Sequence, residues 1–254
     1  MKVVIIIPTY NEKENIVKLF KVLLDETGKL KKHSFKFLFV DDNSPDGTGE
    51  IIKKYMAKNR NYFLLSGQKK GLGYAMIRGY KYALKNLNPD VVVTNEADFG
   101  FDFALMPKML EKIVEGYDVV VASRHVGGGG TNGWTFIRKL NHYIANTVFA
   151  QVVAGVNEVY DKNGAMRAVR VKGVLEKLKF NRFPTKGFSF FFYQIFALSR
   201  VTDKFCEVPA VFKFRTRGES KVSFNPKYLT VYVKDILEYI FLALKIRLER
   251  LELI

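Results

Sequence analysis

The sequence predicts an α/β fold: a mostly parallel sheet flanked by helices, with an amphipathic helix at the C-terminus. Three observations carry this. The runs 2–7, 35–40, 91–93 and 118–122 are apolar except at Lys2, Lys36 and Asp118 rather than alternating, as in strands buried on both faces. Stretches with helical spacing separate them, which makes βαβ units. Each run empties into a polar cluster, and in parallel sheets ligands sit beyond the carboxyl ends of the strands. The expected division is one sheet domain over residues 1–226 and a helix over 227–254.

The elements follow in order. Pro8-Thr9-Tyr10-Asn11-Glu12 ends the first strand, and Ile16, Leu19, Phe20, Leu23 and Leu24 mark a helix over 13–27. The second strand, 35–40, runs into Asp41-Asp42-Asn43-Ser44-Pro45-Asp46-Gly47-Thr48 and a helix carrying Ile51, Ile52 and Tyr55. A short strand near 62–65 precedes Lys69-Lys70-Gly71-Leu72-Gly73 and a helix reaching about Leu87. Beyond the acidic end of the next strand come a helix over 105–115 and a strand over 118–122. Five glycines among residues 127–133 cannot make a regular element and predict a mobile loop, of the kind that serves as a lid. A helix over 135–153 and a turn at 161–167 leading into a strand come next. The aromatic run 188–196 reads as a buried helix, with a greasy acceptor surface as the alternative. Residues 205–214 alternate like an edge strand, and 215–221 form a basic loop. The last helix has a wide apolar stripe through Val233, Ile236, Leu237, Ile240, Phe241, Leu244 and Leu248, which suits packing on the domain and lying on a membrane about equally.

Composition narrows the chemistry. A net charge of +16 favours anionic partners: nucleotides, nucleic acid or an anionic membrane surface. Residues 162–186 hold eight Lys or Arg against one acid, Glu176, and predict a strongly positive face. None of the recognised nucleic-acid motifs is present, so no nucleic-acid partner is expected. One cysteine, Cys206, excludes an internal disulfide and fits a reducing compartment. No signal peptide and no run of about 20 uncharged apolar residues is visible, so the chain is not expected to span a membrane.

The sharpest chemical signal is Glu96-Ala97-Asp98. Two carboxylates spaced i, i+2 where a strand turns into a loop can converge on one cation, and hard oxygen ligands suit Mg²⁺ or Mn²⁺ shared with substrate phosphates. Taken with Pro8-Thr9-Tyr10-Asn11-Glu12, Asp41 to Thr48, Gly71-Leu72-Gly73, Ser123-Arg124 and Gly218-Glu219-Ser220-Lys221, the chain resembles the inverting GT-A glycosyltransferases of family 2, and within them the dolichyl-phosphate mannose synthases. The resemblance covers roughly residues 3–224.

That resemblance implies a Rossmann-like GT-A domain moving a hexose from a nucleotide diphosphate sugar, GDP-mannose first and UDP-glucose next, to a polyprenyl phosphate. By resemblance Pro8, Tyr10, Glu12 and Asp42 hold base and ribose, and Gly71 and Ala97 line the nucleotide sugar. Glu96 and Asp98 hold the metal, Asp98 as a catalytic residue. Arg217, Ser220 and Lys221 close over the nucleotide, while Arg124 and Arg138 face the acceptor phosphate. The expected setting is the cytoplasmic face of a membrane, peripherally bound, with a small membrane-anchor subunit as a possible partner. A phosphate acceptor is already anionic, so no strong base is required, and His33, His125 and His142 read as bystanders. Where the family's metal motif reads Asp-Ala-Asp-Leu-Gln-His, this chain has Glu96-Ala97-Asp98-Phe99-Gly100-Phe101. Glu96 adds a methylene, Gly100 removes a ligand-bearing side chain, and Asp102 is the acid that could compensate. A family 2 transferase with another acceptor, and a relative that binds nucleotide sugar without turnover, are the alternatives.

Overall fold

The computed structural model describes residues 1–185, 187–213 and 226–252, with side chains from 233 onward in the last segment. Strands β1 (Lys2–Thr9), β2 (Ser34–Asp41), β3 (Tyr62–Ser66) and β4 (Val91–Thr94) alternate with helices α1 (Lys13–Gly28), α2 (Thr48–Met56) and α3 (Leu72–Tyr82). Helix α4 (Met106–Val114) leads to β5 (Val119–Ser123), and β7 (Arg167–Arg170) and β8 (Phe205–Pro209) complete a seven-stranded sheet. Its order is β3-β2-β1-β4-β7-β5-β8, parallel except for β7, which runs antiparallel between β4 and β5. This is the expected fold class, with β8 at the predicted edge.

The uniformly apolar strands have two buried faces, and successive residues feed opposite cores. Val4, Ile6, Leu38 and Val92 point to a core shared with α3 and α6 (Ser189–Ser199). Val3, Ile5, Ile7, Phe37, Phe39 and Val93 point to one shared with α1 and α4. The aromatic run is core: Phe190, Phe191, Phe192 and Phe196 are all buried. Helix α3 lies close on β1 and β2 because Gly79 presents no Cβ. One built there would come within 2.8 Å of Ile6 and 3.0 Å of Val40.

Three expectations change. The glycine loop is not wholly irregular: β6 (Gly130–Thr131) pairs in parallel with β9 (Val211–Phe212). Glycine makes this possible by close backbone approach, since a Cβ at Gly129 would meet the Ser123 carbonyl oxygen at 2.5 Å. The predicted strand over 205–214 is two pieces, β8 in the main sheet and β9 against that loop. The positive face over 162–186 is thinner than its count, because Lys162 and Arg167 are buried. Arg167 donates to the carbonyls of Gly164, Phe191 and Lys162 and to Gln194 Oε1, and burial pushes its pKa down to about 10. An always-charged fork with carbonyl partners suits that interior place.

Helix α7 (Pro226–Arg250) packs one face on the domain through Leu242, Ala243 and Ile246, with the Tyr239 ring on Phe192 at 4.8 Å. Its other face leaves Ile236, Leu237, Phe241, Leu244 and Leu248 exposed. Helix α5 (Phe136–Tyr143) continues as a wider helical turn through Ile144–Val153 and exposes Phe136, Ile137, Leu140, Val148 and Val152. Among the described residues no helix is long and apolar enough to cross a membrane.

Gly79→Ala is expected to cost a net of about 1–2 kcal/mol, since overpacking against Ile6 and Val40 outweighs the gain in helix propensity. Thermal unfolding would show a Tm about 2–8 °C lower.

Candidate active site

The polar clusters meet at the carboxyl ends of β1, β2, β4 and β5. On one side the loops after β1 and β2 are latched together through buried Asp41. Its Oδ1 accepts from Thr9 Oγ1 (3.0 Å) and Ser44 Oγ (2.6 Å), and its Oδ2 from the Ser44 amide (2.9 Å). The amide of Asn11, at φ +57°, donates to Ser44 Oγ at 3.0 Å. Glu12 is drawn in through its own amide on Thr48 Oγ1 (3.0 Å) and through Asn15 Nδ2 on its Oε2 (2.7 Å). Asp42 accepts from Arg78 Nη2 at 2.9 Å; burial pushes its carboxyl up against that pull. Tyr10 carries Lys69 Nζ 3.7 Å from its ring centroid. Pro8 closes β1, and Gly71, at φ +108°, starts α3 in a backbone region closed to other side chains. So Pro8, Tyr10, Glu12, Asp42 and Gly71 share one pole of the sheet.

The acidic loop after β4 is tightly folded. Asn95 Oδ1 accepts from the Glu96 amide (2.9 Å) while its Nδ2 donates to the Phe101 carbonyl (3.1 Å). Asp98 Oδ1 accepts from the Gly100 amide at 2.9 Å, and Phe99 between them sits at φ +61°, a costly conformation for an aromatic residue. Asp98 and Ala97 are buried and Glu96 half-buried. Gly100 has a packing reason as well: a Cβ there would fall 2.4 Å from the Phe212 ring. Asp102 is engaged within its own loop and by Lys213. It caps the following turn through the Ala104 amide (3.1 Å) and pairs with Lys213 Nζ (3.1 Å). The donor set fits a hard divalent cation completed by substrate oxygens, since such ions bind through one or two carboxylates plus phosphates.

The side beyond β5 is cationic and aromatic. Arg124 turns its guanidinium inward, 6% exposed, onto fully buried Asp161: Nε to Oδ2 and Nη2 to Oδ1, both 2.7 Å, with its amide also on Oδ2 at 3.0 Å. Burial alone would raise the Asp161 carboxyl, but Arg124 holds it well below the usual carboxylate range. Trp134 joins this group to α5. Its ring lies 5.4 Å from Arg124 Cζ, 4.6 Å from Arg138 Cζ and, edge to face, 5.3 Å from the His142 ring. His142 Nε2 is 2.9 Å from His125 Nε2. The two histidines therefore meet beyond the end of β5, whereas His33 lies at the far end of β2 beside Met1. Sixteen residues of glycine loop and helix separate His125 from His142, and no spacing rule in the sequence joins them. Arg217, Ser220 and Lys221 lie outside the described residues.

The model of the glycosyl transferase family 2 matches residues 4–177. A dolichol-phosphate mannosyltransferase of Pyrococcus furiosus is 34% identical over 93% of this chain, which spans 63% of that relative's length. An undecaprenyl-phosphate mannosyltransferase of Micrococcus luteus is 33% identical over 88% of each chain. In fold the chain is similar to a mannosyltransferase from Pyrobaculum calidifontis solved in complex with GDP-Man and Mn²⁺, with a TM-score of 0.61, 15% identity, and coverage of 96% of this chain and 64% of that one.

Asp161→Asn would leave Arg124 buried without its counter-charge, at a cost of about 3–5 kcal/mol at neutral pH. Because the folded pKa of Asp161 lies below the unfolded value of about 3.9, the pair's contribution is complete above that value and is lost as pH falls below it. Denaturant unfolding at pH 7 and pH 3 should show the gap between wild type and variant narrowing at the lower pH. Gly100→Gln, which restores the side chain of the family motif, should displace Phe212, lower stability by about 1–3 kcal/mol and leave Mn²⁺ affinity no higher when titrated.

Proposed function

We infer that this chain, which belongs to glycosyl transferase family 2, transfers mannose from GDP-mannose to a polyprenyl phosphate at a membrane surface. The observation that carries this is the pairing of two poles at the carboxyl end of one sheet. Buried carboxylates on the loops after β1, β2 and β4 suit a nucleotide and its metal, while Arg124, Arg138 and Trp134 beyond β5 suit an anionic acceptor. The two curated mannosyltransferases, whose names give dolichol and undecaprenyl phosphate, support the lipid acceptor.

In this reading Pro8, Tyr10, Glu12 and Asp42 orient base and ribose, and Gly71 lets the backbone approach the donor. Glu96 and Asp98 would hold Mg²⁺ or Mn²⁺, and the ion would supply positive charge to offset that of the diphosphate leaving group. The acceptor phosphate oxygen attacks the anomeric carbon from the opposite side in a single displacement with inversion. Arg138 and Arg124 hold that phosphate. With Nε and Nη2 committed to Asp161, Arg124 meets it through Nη1. Catalysis then consists mainly of placing two anions together and offsetting their charge. The exposed apolar faces of α5, its continuation and α7 provide a surface for peripheral membrane contact, consistent with an acceptor whose tail stays in lipid.

Isothermal titration with GDP, UDP, GDP-mannose and UDP-glucose, each with and without Mn²⁺, tests the reading. Guanine-selective binding that tightens with Mn²⁺ and loses at least tenfold in Asp98→Ala is expected, followed by mannose transfer to a polyprenyl phosphate. Uracil-selective binding would move the donor to UDP-glucose, and no nucleotide binding under either condition would sink the enzyme reading.

A further inference from the structure

His125, His142 and Asp161 place their ligating atoms within 4.8 Å of one another, the single such group of three among the described residues. Its geometry decides what it can hold. The two imidazole planes are 14° apart and the ring centroids 5.0 Å apart, farther than the 2.9 Å between the Nε2 atoms by about two ring radii. The rings thus meet edge to edge, with their Nε2 atoms aimed at each other. A metal ion on that line would lie at about half the separation, well short of the roughly 2.0–2.1 Å of a metal–imidazole bond. Asp161 has both oxygens on Arg124 as well. On the line between the two Nε2 atoms a proton fits and a cation does not.

We propose that His125 and His142 form a hydrogen-bonded imidazole pair that takes the proton from a monoanionic phosphomonoester acceptor as it reacts. This rests on the transferase reading above. His125 follows Arg124 directly at the end of β5 and is the exposed member of the pair, while His142 stands behind it on α5, set edge-on to Trp134. When the shared proton sits on His125 Nε2, the Nδ1 lone pair of His125 is left as the acceptor. A monoanionic acceptor carries one P–O–H proton that the product diester cannot retain at neutral pH. As an unprotonated phosphate oxygen bonds to the anomeric carbon and the nucleotide diphosphate departs with the bonding electrons, that proton passes to His125 Nδ1. The inner contact becomes an N–H⁺···N bond, which charge strengthens. His125 is the catalytic base and His142 its positioning residue.

The electrostatics agree in direction. Burial and the neighbouring Arg124 lower both rings, His142 to about 3, so the pair is neutral when an acceptor arrives. Around His125 the charges of Asp161 and Glu207 oppose those of Arg124 and Lys162; around His142 the charge of Asp161 opposes those of Arg124, Arg138 and a protonated His125. An incoming phosphate adds negative charge to this balance and raises the affinity of the pair for a proton. A neutral base that gains basicity only when its substrate docks suits general-base work near neutrality.

The test is the pH dependence of mannose transfer to a polyprenyl phosphate between pH 5.5 and 8.5, for wild type, His125→Gln and His142→Gln. In His125→Gln, kcat should fall about 100-fold at pH 6, where the acceptor is largely monoanionic, and at least ten times less at pH 8.5, with KM changed under threefold. His142→Gln, which can still hydrogen-bond His125, should lose less but with the same acid-side bias. An equal loss at every pH would overturn the proposal while leaving the transferase reading intact. Wild type that transfers nothing at any pH would instead refute the transferase reading. Imidazole ¹⁵N titration with and without inorganic phosphate is a readout independent of turnover. Phosphate should raise the His125 pKa by at least one unit, and an unmoved value would overturn the proposal. Stoichiometric Zn²⁺ binding abolished by His125→Gln would also overturn it, in favour of a metal site.

Discussion

Asp161 is fully buried, and the hydrogen bonds converging on its two oxygens come from the Arg124 amide, Nε and Nη2 and from the Asn163 amide. The neighbouring amides of Tyr160 and Asp161 donate to Glu207 on β8, at 2.8 and 2.9 Å. One ionic contact thereby ties the end of β5 to the turn before β7, and Glu207 ties that turn to the edge strand. Taking both charges out of water is expensive, and a bidentate fork with its remaining lone pairs satisfied is the geometry that offsets the cost. Everything cationic in the site hangs from this joint. It fixes the Arg124 guanidinium 5.4–5.6 Å from the rings of Phe101, Trp134 and Phe212, and through Trp134 it sets where α5 begins.

Asp41 plays the matching part on the donor side, without a buried counter-ion. Among the described residues its side chain accepts from neutral groups, Thr9 and Ser44, and so fixes the loops after β1 and β2 against each other. The two poles thus use opposite strategies at the carboxyl end of one sheet. The acidic side is built from hydrogen-bonded loops, the basic side from a neutralised ion pair surrounded by aromatic rings. The arrangement is fixed before any ligand arrives, as electrostatic stabilisation of a transferring group requires. Its aromatic wall also explains Gly100, since Phe212 fills the volume a side chain would need.

Much of this was legible in one dimension. Strands buried on both faces advertise themselves by uniform β-branched runs, and the donor loops are contiguous segments, so Pro8, Tyr10, Glu12, Asp42, Glu96 and Asp98 could be assigned to strand ends directly. The aromatic run of α6 read correctly as core because eleven residues with hardly a charge cannot be solvated. The cationic side was harder. Arg167 and Lys162 count as surface charge in any tally, and only their partners explain their burial: the carbonyls of Lys162, Gly164 and Phe191 with Gln194 Oε1 for Arg167, and Gln151 Oε1 and the Tyr160 carbonyl for Lys162 Nζ. The β6–β9 pairing joins residues about eighty apart through glycines that by themselves suggest no order.

The sequence by itself determined the fold class, the order of the sheet-end loops and the carboxylates that those loops carry, because these depend on local periodicity and on motifs held within single loops. Tertiary structure alone decided the rest. It turned Arg124 inward, filled the volume beside Gly100 with the Phe212 ring, and set His125 against His142. Each outcome depends on which distant side chains share a buried volume, and burial, unlike periodicity, leaves no repeating mark along the chain.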